Sequence, residues 1–164
     1  MTNVPKPLQS IELGGGRSPL SRVNVDVQTG DIRQDVRQGL PFPDCSIGEI
    51  HSSDFYEHLT FDEGLALMRE CRRVLALGGM VDFTIPDMEA AFRYHNKGPG
   101  TGWCSDLELC VYGDRSSEWQ THKAWYTPTM LKYIWEKEGW RVELQHTEHG
   151  WPSQPKFRIT AWPK

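Results

Sequence analysis

The sequence has no apolar run near the roughly 20 residues that a membrane-spanning helix needs, and no apolar signal-peptide core at its N-terminus. A soluble protein with no membrane partner is the expectation. There is no C-x-x-C pair. The four cysteines, Cys45, Cys71, Cys104 and Cys110, do not form a secreted disulfide framework, so a reducing cytoplasm is expected, with Cys71 as a buried thiol. Positive charge is not in excess either. Eighteen Lys and Arg against 22 Asp and Glu leave a formal net charge of −4, which disfavours a surface that tracks phosphates and hence non-specific nucleic-acid binding. No repeat or low-complexity tract is visible. What is present is 164 residues, enough for one domain with one core. Seven Trp, six Phe and five Tyr supply large burial per residue, and charges of both signs are spread along the chain, so disorder is a poor reading.

Periodicity orders this material into strands and helices. Leu8 to Leu13 reads as a strand entering the turn Gly14-Gly15-Gly16. Val23 to Val27 alternates as a second strand, Ile32 to Val36 is a weaker third, and Ile47 to Ser52 a fourth. Thr60 with Glu63 forms a capping box ahead of Leu67, Cys71, Val74 and Leu75, which share one helical face, and Gly78-Gly79 stops that helix. Met80 to Ile85 has the near-continuous apolar character of a buried strand, and Asp87 can cap a short helix to about His95. Residues 96 to 126, rich in Gly and Trp, read as a long irregular insertion on the substrate side. Thr127-Pro128 starts a last helix, followed by strands Trp140 to Gln145 and Phe157 to Trp162 in an antiparallel hairpin. The pattern predicts a single α/β domain over 1–164, mostly parallel with a C-terminal hairpin.

Three strand ends carry polar groups suited to a nucleoside ligand. Glycines 14 to 16 after the first strand let a ligand approach the backbone, although a tight packing turn is the better explanation of an isolated glycine cluster. Asp26 ends the second strand, where a carboxylate can accept both hydroxyls of a ribose. Asp35 followed by Val36 ends the third, where a carboxylate and an apolar neighbour can read the amino edge of adenine and cover its face. Each Asp taken alone is also explained by a cap or a solvated charge.

The runs Leu-Pro-Phe-Pro-Asp-Cys-Ser-Ile at 40–47, Glu49-Ile50-His51-Ser52-Ser53, Tyr56-Glu57-His58-Leu59 and Arg73-Val74-Leu75-Ala76-Leu77-Gly78-Gly79 make the pattern specific. In this order they resemble the class I S-adenosylmethionine-dependent methyltransferases of the small methyltransferase type 11 group, over about residues 8 to 90. The resemblance implies a Rossmann-like three-layer sandwich and S-adenosylmethionine as cofactor. It implies that Glu12 with Gly14, Gly15 and Gly16 cradles the methionine portion, Asp26 the ribose, Asp35 and Val36 the adenine. It has Phe42 lining the adenine pocket and Ser52 and Ser53 lining the side where the methyl group is presented.

The sequence also departs from that family. Gly-Gly-Gly replaces Gly-x-Gly-x-Gly, and the stretch from Gly14 to Arg22, interrupted by Pro19, is too short for a crossover helix. No more than a turn of helix is expected there, with Arg17 as a positive substitute for the lost helix N-terminus. On the acceptor side, His122 and His58 are the candidate catalytic bases, with Glu57, Asp54 and Asp87 also near the expected crevice; capping, packing or a hydrogen-bonded structural role explains the same residues. His146, Glu148 and His149 could hold a metal, but a solvated surface explains them better and no metal is expected. Trp103, Trp119 and Trp125 suit either an apolar or sugar-stacking platform or core closure. The resulting expectation is methyl transfer by in-line displacement to a small-molecule or glycan-like acceptor. The alternative is a catalytically silent binding or assembly module. A nicotinamide dehydrogenase fits poorly, because Pro19 stands where a fingerprint glycine belongs. A homodimer is compatible with aromatic surface that needs covering.

Overall fold

The strand residues sort into apolar and polar rows, and the sorting decides where the core lies. A computed structural model describes residues 9–17, 19, 22–96, 103–146 and 154–164, with the backbone alone for 103–105. Six strands form one sheet: β1 (Gln9–Leu13), β2 (Val23–Val25), β3 (Ile47–Ser53), β4 (Leu75–Pro86), β5 (Trp140–His146) and β6 (Lys156–Pro163). Their order is β2-β1-β3-β4-β6-β5, with β6 antiparallel to both neighbours and the first four strands parallel. Register lines up Ile11, Ile50, Val81, Ala161 and Val142 across one face, and beside them Leu13, Ser52, Phe83, Ile159 and Leu144. The alternate row on the other face is Asn24, Glu12, His51, Asp82, Thr160 and Glu143. Since side chains alternate along a strand, this register puts nearly all apolar burial on one side.

That side is covered by α1 (Phe61–Val74) and α4 (Pro128–Lys137). Thr60 and Glu63 make the expected capping box, and α1 buries Leu67, Met68, Cys71 and Val74. Thr127 caps α4 with Pro128 in its first turn, and α4 buries Leu131 and Trp135. Tyr56 joins the two, packing near the Trp135, Tyr126 and Phe83 rings while its hydroxyl would stand 2.9 Å from a Cβ at Gly64. Two further helices, α2 (Met88–His95, capped by Asp87) and α3 (Trp103–Tyr112), form a separate small cluster through Met88, Ala91 and Cys110. The arrangement has the expected Rossmann-like class and C-terminal hairpin, although the turn of that hairpin lies outside the described residues.

Four local expectations are corrected. The second strand stops at Val25, because the Asp26 carboxylate turns the chain by accepting the Gln28 and Thr29 N–H groups. Ile32 to Val36 is not a strand: Ile32 makes a single bridge to Val25, and Asp35 caps the 3₁₀ turn Val36–Gln38. Helix α1 ends at Val74 rather than at Gly78-Gly79; Leu75 already pairs with Ile47, and Gly78 sits at φ +80 where the register slips before Met80. The 96–126 stretch is not wholly irregular, since Trp103–Tyr112 is helical. The run Asp106-Leu107-Glu108-Leu109-Cys110-Val111 contains no glycine or proline. Among the described residues from Gly14 to Arg22 there is no helix.

Candidate functional site

The carboxyl ends of the parallel strands open into two adjoining clefts, the expected place for ligands on such a sheet. The first has a volume of about 290 Å³ and is bounded by Gly14, Gly16 and Arg17 after β1, by Asp26 to Thr29 after β2, and by Asp35 to Arg37. Asp54, Phe55 and His58 after β3, with Trp119 and Lys123, close its other side. The second, also about 290 Å³, lies between Pro86, Leu109, Cys110, Asp114, His122 and Lys156. Asp54, His58 and Gln120 line both, so the clefts meet there.

The glycine loop is held open by its neighbours. Gly14 has φ +68, and a Cβ on it would lie 2.2 Å from the Phe55 ring. The Gly14 N–H donates to the Val25 carbonyl at 2.9 Å. Buried Asn24 accepts the Gly15 N–H at 3.0 Å and donates to the Gly16 carbonyl at 3.3 Å. Asp26 uses one oxygen for the Gln28 and Thr29 N–H groups and offers the other to Gly16 N–H at 3.3 Å. The carboxylate is thereby aimed into the cleft with acceptor capacity left over. Glu12 is buried on β1 just below this loop.

Asp35 is placed differently from expectation. It lines the cleft, but its carboxylate is gripped by Arg37 through Nε at 2.9 and 3.0 Å and Nη2 at 2.8 Å. These bonds hold Asp35 below the usual carboxylate range. Arg37 also lies over the Trp119 ring, 4.7 Å from its centroid, and reaches Glu118. Val36 is buried beside them.

Five expected positions do not line the cleft: Glu12, Gly15, Phe42, Ser52 and Ser53. Phe42 packs against the main core. Its loop is clamped by Arg73 of α1, which donates to the Leu40 and Phe42 carbonyls and pairs with Glu70 and Asp44. The Leu-Pro-Phe-Pro-Asp run and the Arg of Arg-Val-Leu therefore hold each other. Ser52 is buried on β3 on the core face, and Ser53 is exposed, donating to Asp54 at 3.2 Å. The residue after them, Asp54, takes their place: it stands at φ +51 at the junction of the clefts, its N–H bound to the Thr84 carbonyl and its carboxylate to Lys156.

His58 and His122, the two expected acceptor-side residues, come together with rings 4.9 Å apart and edge to face. The chain after α3 returns over them, with Lys123 and Ala124 N–H groups both donating to the Glu57 carbonyl. His58 Nδ1 contacts the Thr121 carbonyl at 3.1 Å and His122 Nδ1 the Cys110 carbonyl at 2.9 Å. A carbonyl only accepts, so each neutral ring carries its proton on Nδ1 and leaves a lone pair on Nε2. Burial pulls both imidazoles below their ordinary value. Glu57, fully buried, lies with Oε1 4.0 Å from His122 Nε2, and neither of its oxygens has a hydrogen-bond partner. Burial, aided by the Asp54 charge, pushes its carboxyl up to about 8. Asp87 is occupied as the cap of α2. His146 is largely exposed, 3.9 Å from Asp87, while Glu148 and His149 lie outside the described residues. Trp125 is exposed, and nothing is described of the Trp103 side chain.

Sequence reasoning missed Asn24, Phe55 and Arg37. Asn24 and Phe55 looked like ordinary strand and loop residues, and only the fold brings them against the glycines. Arg37, two residues after Asp35, was the one local signal available.

No protein-family model matches the sequence, and no curated protein matches it by sequence. Solved structures do. A SAM-dependent methyltransferase from Archaeoglobus fulgidus superposes with a TM-score of 0.65 at 15% identity, over 95% of this chain and 86% of that one. One from Thermotoga maritima gives 0.65 at 17% identity, over 98% and 84%. DhpI, in a complex with SAM and HEP, gives 0.62 at 14% identity, over 94% and 78%. The chain has the fold of the SAM-dependent methyltransferases. This methyltransferase fold keeps the glycine loop and Asp26 in one cleft, Asp35 at its far edge, and His58 and His122 at the opening into a second. Among the described residues no helix is long and apolar enough to cross a membrane.

Proposed function

We propose that the protein is a methyltransferase that takes S-adenosylmethionine in the first cleft and a small polar acceptor in the second. The observation that carries this reading is the shared border of the clefts at Asp54, His58 and Gln120. A donor and an acceptor lodged side by side in these two clefts can meet there. The first cleft suits the cofactor: Gly16 faces open space, Arg17 can meet a carboxylate, and Asp26 keeps acceptor capacity for ribose hydroxyls. The bound cofactor supplies an electrophilic methyl group on a sulfonium. In-line displacement would require this chain to hold the acceptor's lone pair along the bond to that methyl group and to take up the acceptor's proton.

The residues of this chain supply order and proton capacity. Gly14 and Asn24 set the loop, Glu12 supports it from β1, and Asp26 fixes the nucleoside. Val36, with the Arg37–Trp119 stack, walls the adenine end. His58 and His122 present lone pairs beside the junction, so they meet the hydrogen-bearing atom of an acceptor such as a sugar-like hydroxyl. Two cytosolic copies joined as a dimer fit this reading without being needed for it. The Arg37–Asp35 grip favours one other reading, a silent binding module, because it takes the carboxylate expected to read adenine. Titration calorimetry with SAM and its demethylated product separates the two: saturable binding of both is expected, and no heat at millimolar cofactor would overturn the methyltransferase reading.

A further inference from the structure

We propose that Glu57, His58 and His122 form a binding site for a divalent transition-metal ion, best suited to zinc, where the two clefts meet. One ligand atom from each of these side chains lies within 4.8 Å of the others. A zinc ion with bonds of about 2.0–2.2 Å holds its ligands roughly 3.4 Å apart, so side-chain adjustments of about 1 Å close the set.

The chemistry of the three groups argues for a cation. With both Nδ1–H groups committed to the Thr121 and Cys110 carbonyls, the two rings face inward as acceptors. The third group, Glu57, is a carboxylate 1% exposed whose oxygens lack any hydrogen-bond partner. The Glu57 carboxylate is costly to bury unsatisfied, by about 1–3 kcal/mol for each unsatisfied group. A proton relieves that carboxylate alone; a divalent ion relieves it and uses both Nε2 lone pairs as well. The Nδ1–H to carbonyl bond is also the arrangement that orients a ligating imidazole and fixes its tautomer. The charged surroundings agree: Asp54 and Asp114 act on both imidazoles, and Lys156, the cation that acts on Glu57, is already paired with Asp54. Two His and one Glu is a donor set of catalytic zinc centres, which keep a further position open. Both histidines line the second cleft, which would give such a position access to an acceptor. If the methyl-transfer reading holds, and this step rests on it, the acceptor meets the ion through an oxygen atom, a hydroxyl or carboxylate, and the imidazoles then serve as ligands in place of the direct contact with the acceptor's hydrogen that they make in the ion-free site.

The test uses the full chain, stripped with chelator and titrated with Co²⁺ and then Zn²⁺. One ion per chain is expected, with the visible bands of a low-symmetry cobalt site, lost on adding zinc. Glu57→Gln and His122→Asn should each weaken binding by about 100-fold, in the upper range seen when metal-site partners are removed, while His146→Asn leaves it unchanged. Where a variant fails to fold by circular dichroism, long-range ¹⁵N spectra of the wild-type protein decide: zinc should shift two Nε2 resonances. Absence of saturable binding, binding that survives both variants, or unshifted Nε2 signals would each overturn the proposal. Calorimetry with SAM on the stripped protein keeps the two readings apart. SAM binding without a zinc site removes the ion alone, and zinc binding without SAM removes the methyltransferase reading alone.

Discussion

The two clefts differ in how far their polar groups are already satisfied. Around the glycine loop almost every group is spoken for: Asn24 bonds Gly15 and Gly16, Asp26 bonds Gln28, Thr29 and Gly16, and Asp35 is held by Arg37. At the junction with the second cleft, Glu57 is buried without a partner and both histidines turn lone pairs inward. The first pattern builds a rigid receptacle whose order does not depend on its ligand. The second leaves an unmet demand that a ligand must answer. Satisfied groups set shape, and unsatisfied buried groups mark where binding or chemistry takes place.

The contrast can be broken most severely at Gly14. Gly14→Val forces a side chain into φ +68 and onto Phe55, and SAM affinity should fall by at least about 100-fold in calorimetry. A wild-type affinity would mean that the loop is not the receptacle. His122→Asn should cut formation of demethylated cofactor from SAM, in a pool of hydroxylated acceptors, by about 100-fold. SAM affinity should stay within about twofold, because His122 is not among the residues of the first cleft. Asp26→Ala should weaken SAM by about tenfold, the scale of one charge-assisted hydrogen bond. Asp35→Ala should cost about threefold or less, since its carboxylate serves Arg37 first. An Asp35 effect larger than that of Asp26 would reverse the order of the two strand ends.

Stability, rather than affinity, is the readout for a buried carboxylate away from both clefts. Burial alone would raise Asp82, but hydrogen bonds from Arg158 and His51 outweigh it and bring it to about 2. A carboxyl held below its unfolded value stabilises the fold above that value and loses the contribution as pH falls through the folded one. Between about pH 4 and pH 2 the protein should therefore lose about 1–2 kcal/mol, allowing for screening at half-exposed Arg158. Acid unfolding followed by circular dichroism should show the loss, reduced in Arg158→Met. Asp82 is thus the paired counterpart of unpaired Glu57.

Much of the frame is legible in local chemistry. The Thr60–Glu63 box, the Thr127-Pro128 start, the Asp87 cap and the C-terminal strands β5 and β6 follow from side chains within a few residues of one another. The misread elements share a cause. Ile32 to Val36 has strand-forming residues, but Asp35 bends the chain through its own carboxylate. Gly78-Gly79 looks like a helix stop, but pairing of Leu75 with Ile47 ends α1 earlier. Phe42 looks like a pocket wall until Arg73, 31 residues away, fixes its loop. In each case a contact made by the fold overrides a sound local rule.

By itself, the sequence determined the six strands in outline, the helices capped by Thr60, Asp87 and Thr127, the glycine turn and the acidic residue Asp26 that follows the second strand. These depend on periodicity and on groups bonding to their own neighbours. Only the tertiary structure decided that Phe55 faces Gly14, that Arg37 takes Asp35, and that Glu57, His58 and His122 converge. The last of these joins residues more than sixty positions apart. No local periodicity encodes such a meeting; it exists because the segment after α3 folds back over the end of β3 and hydrogen-bonds to the Glu57 carbonyl.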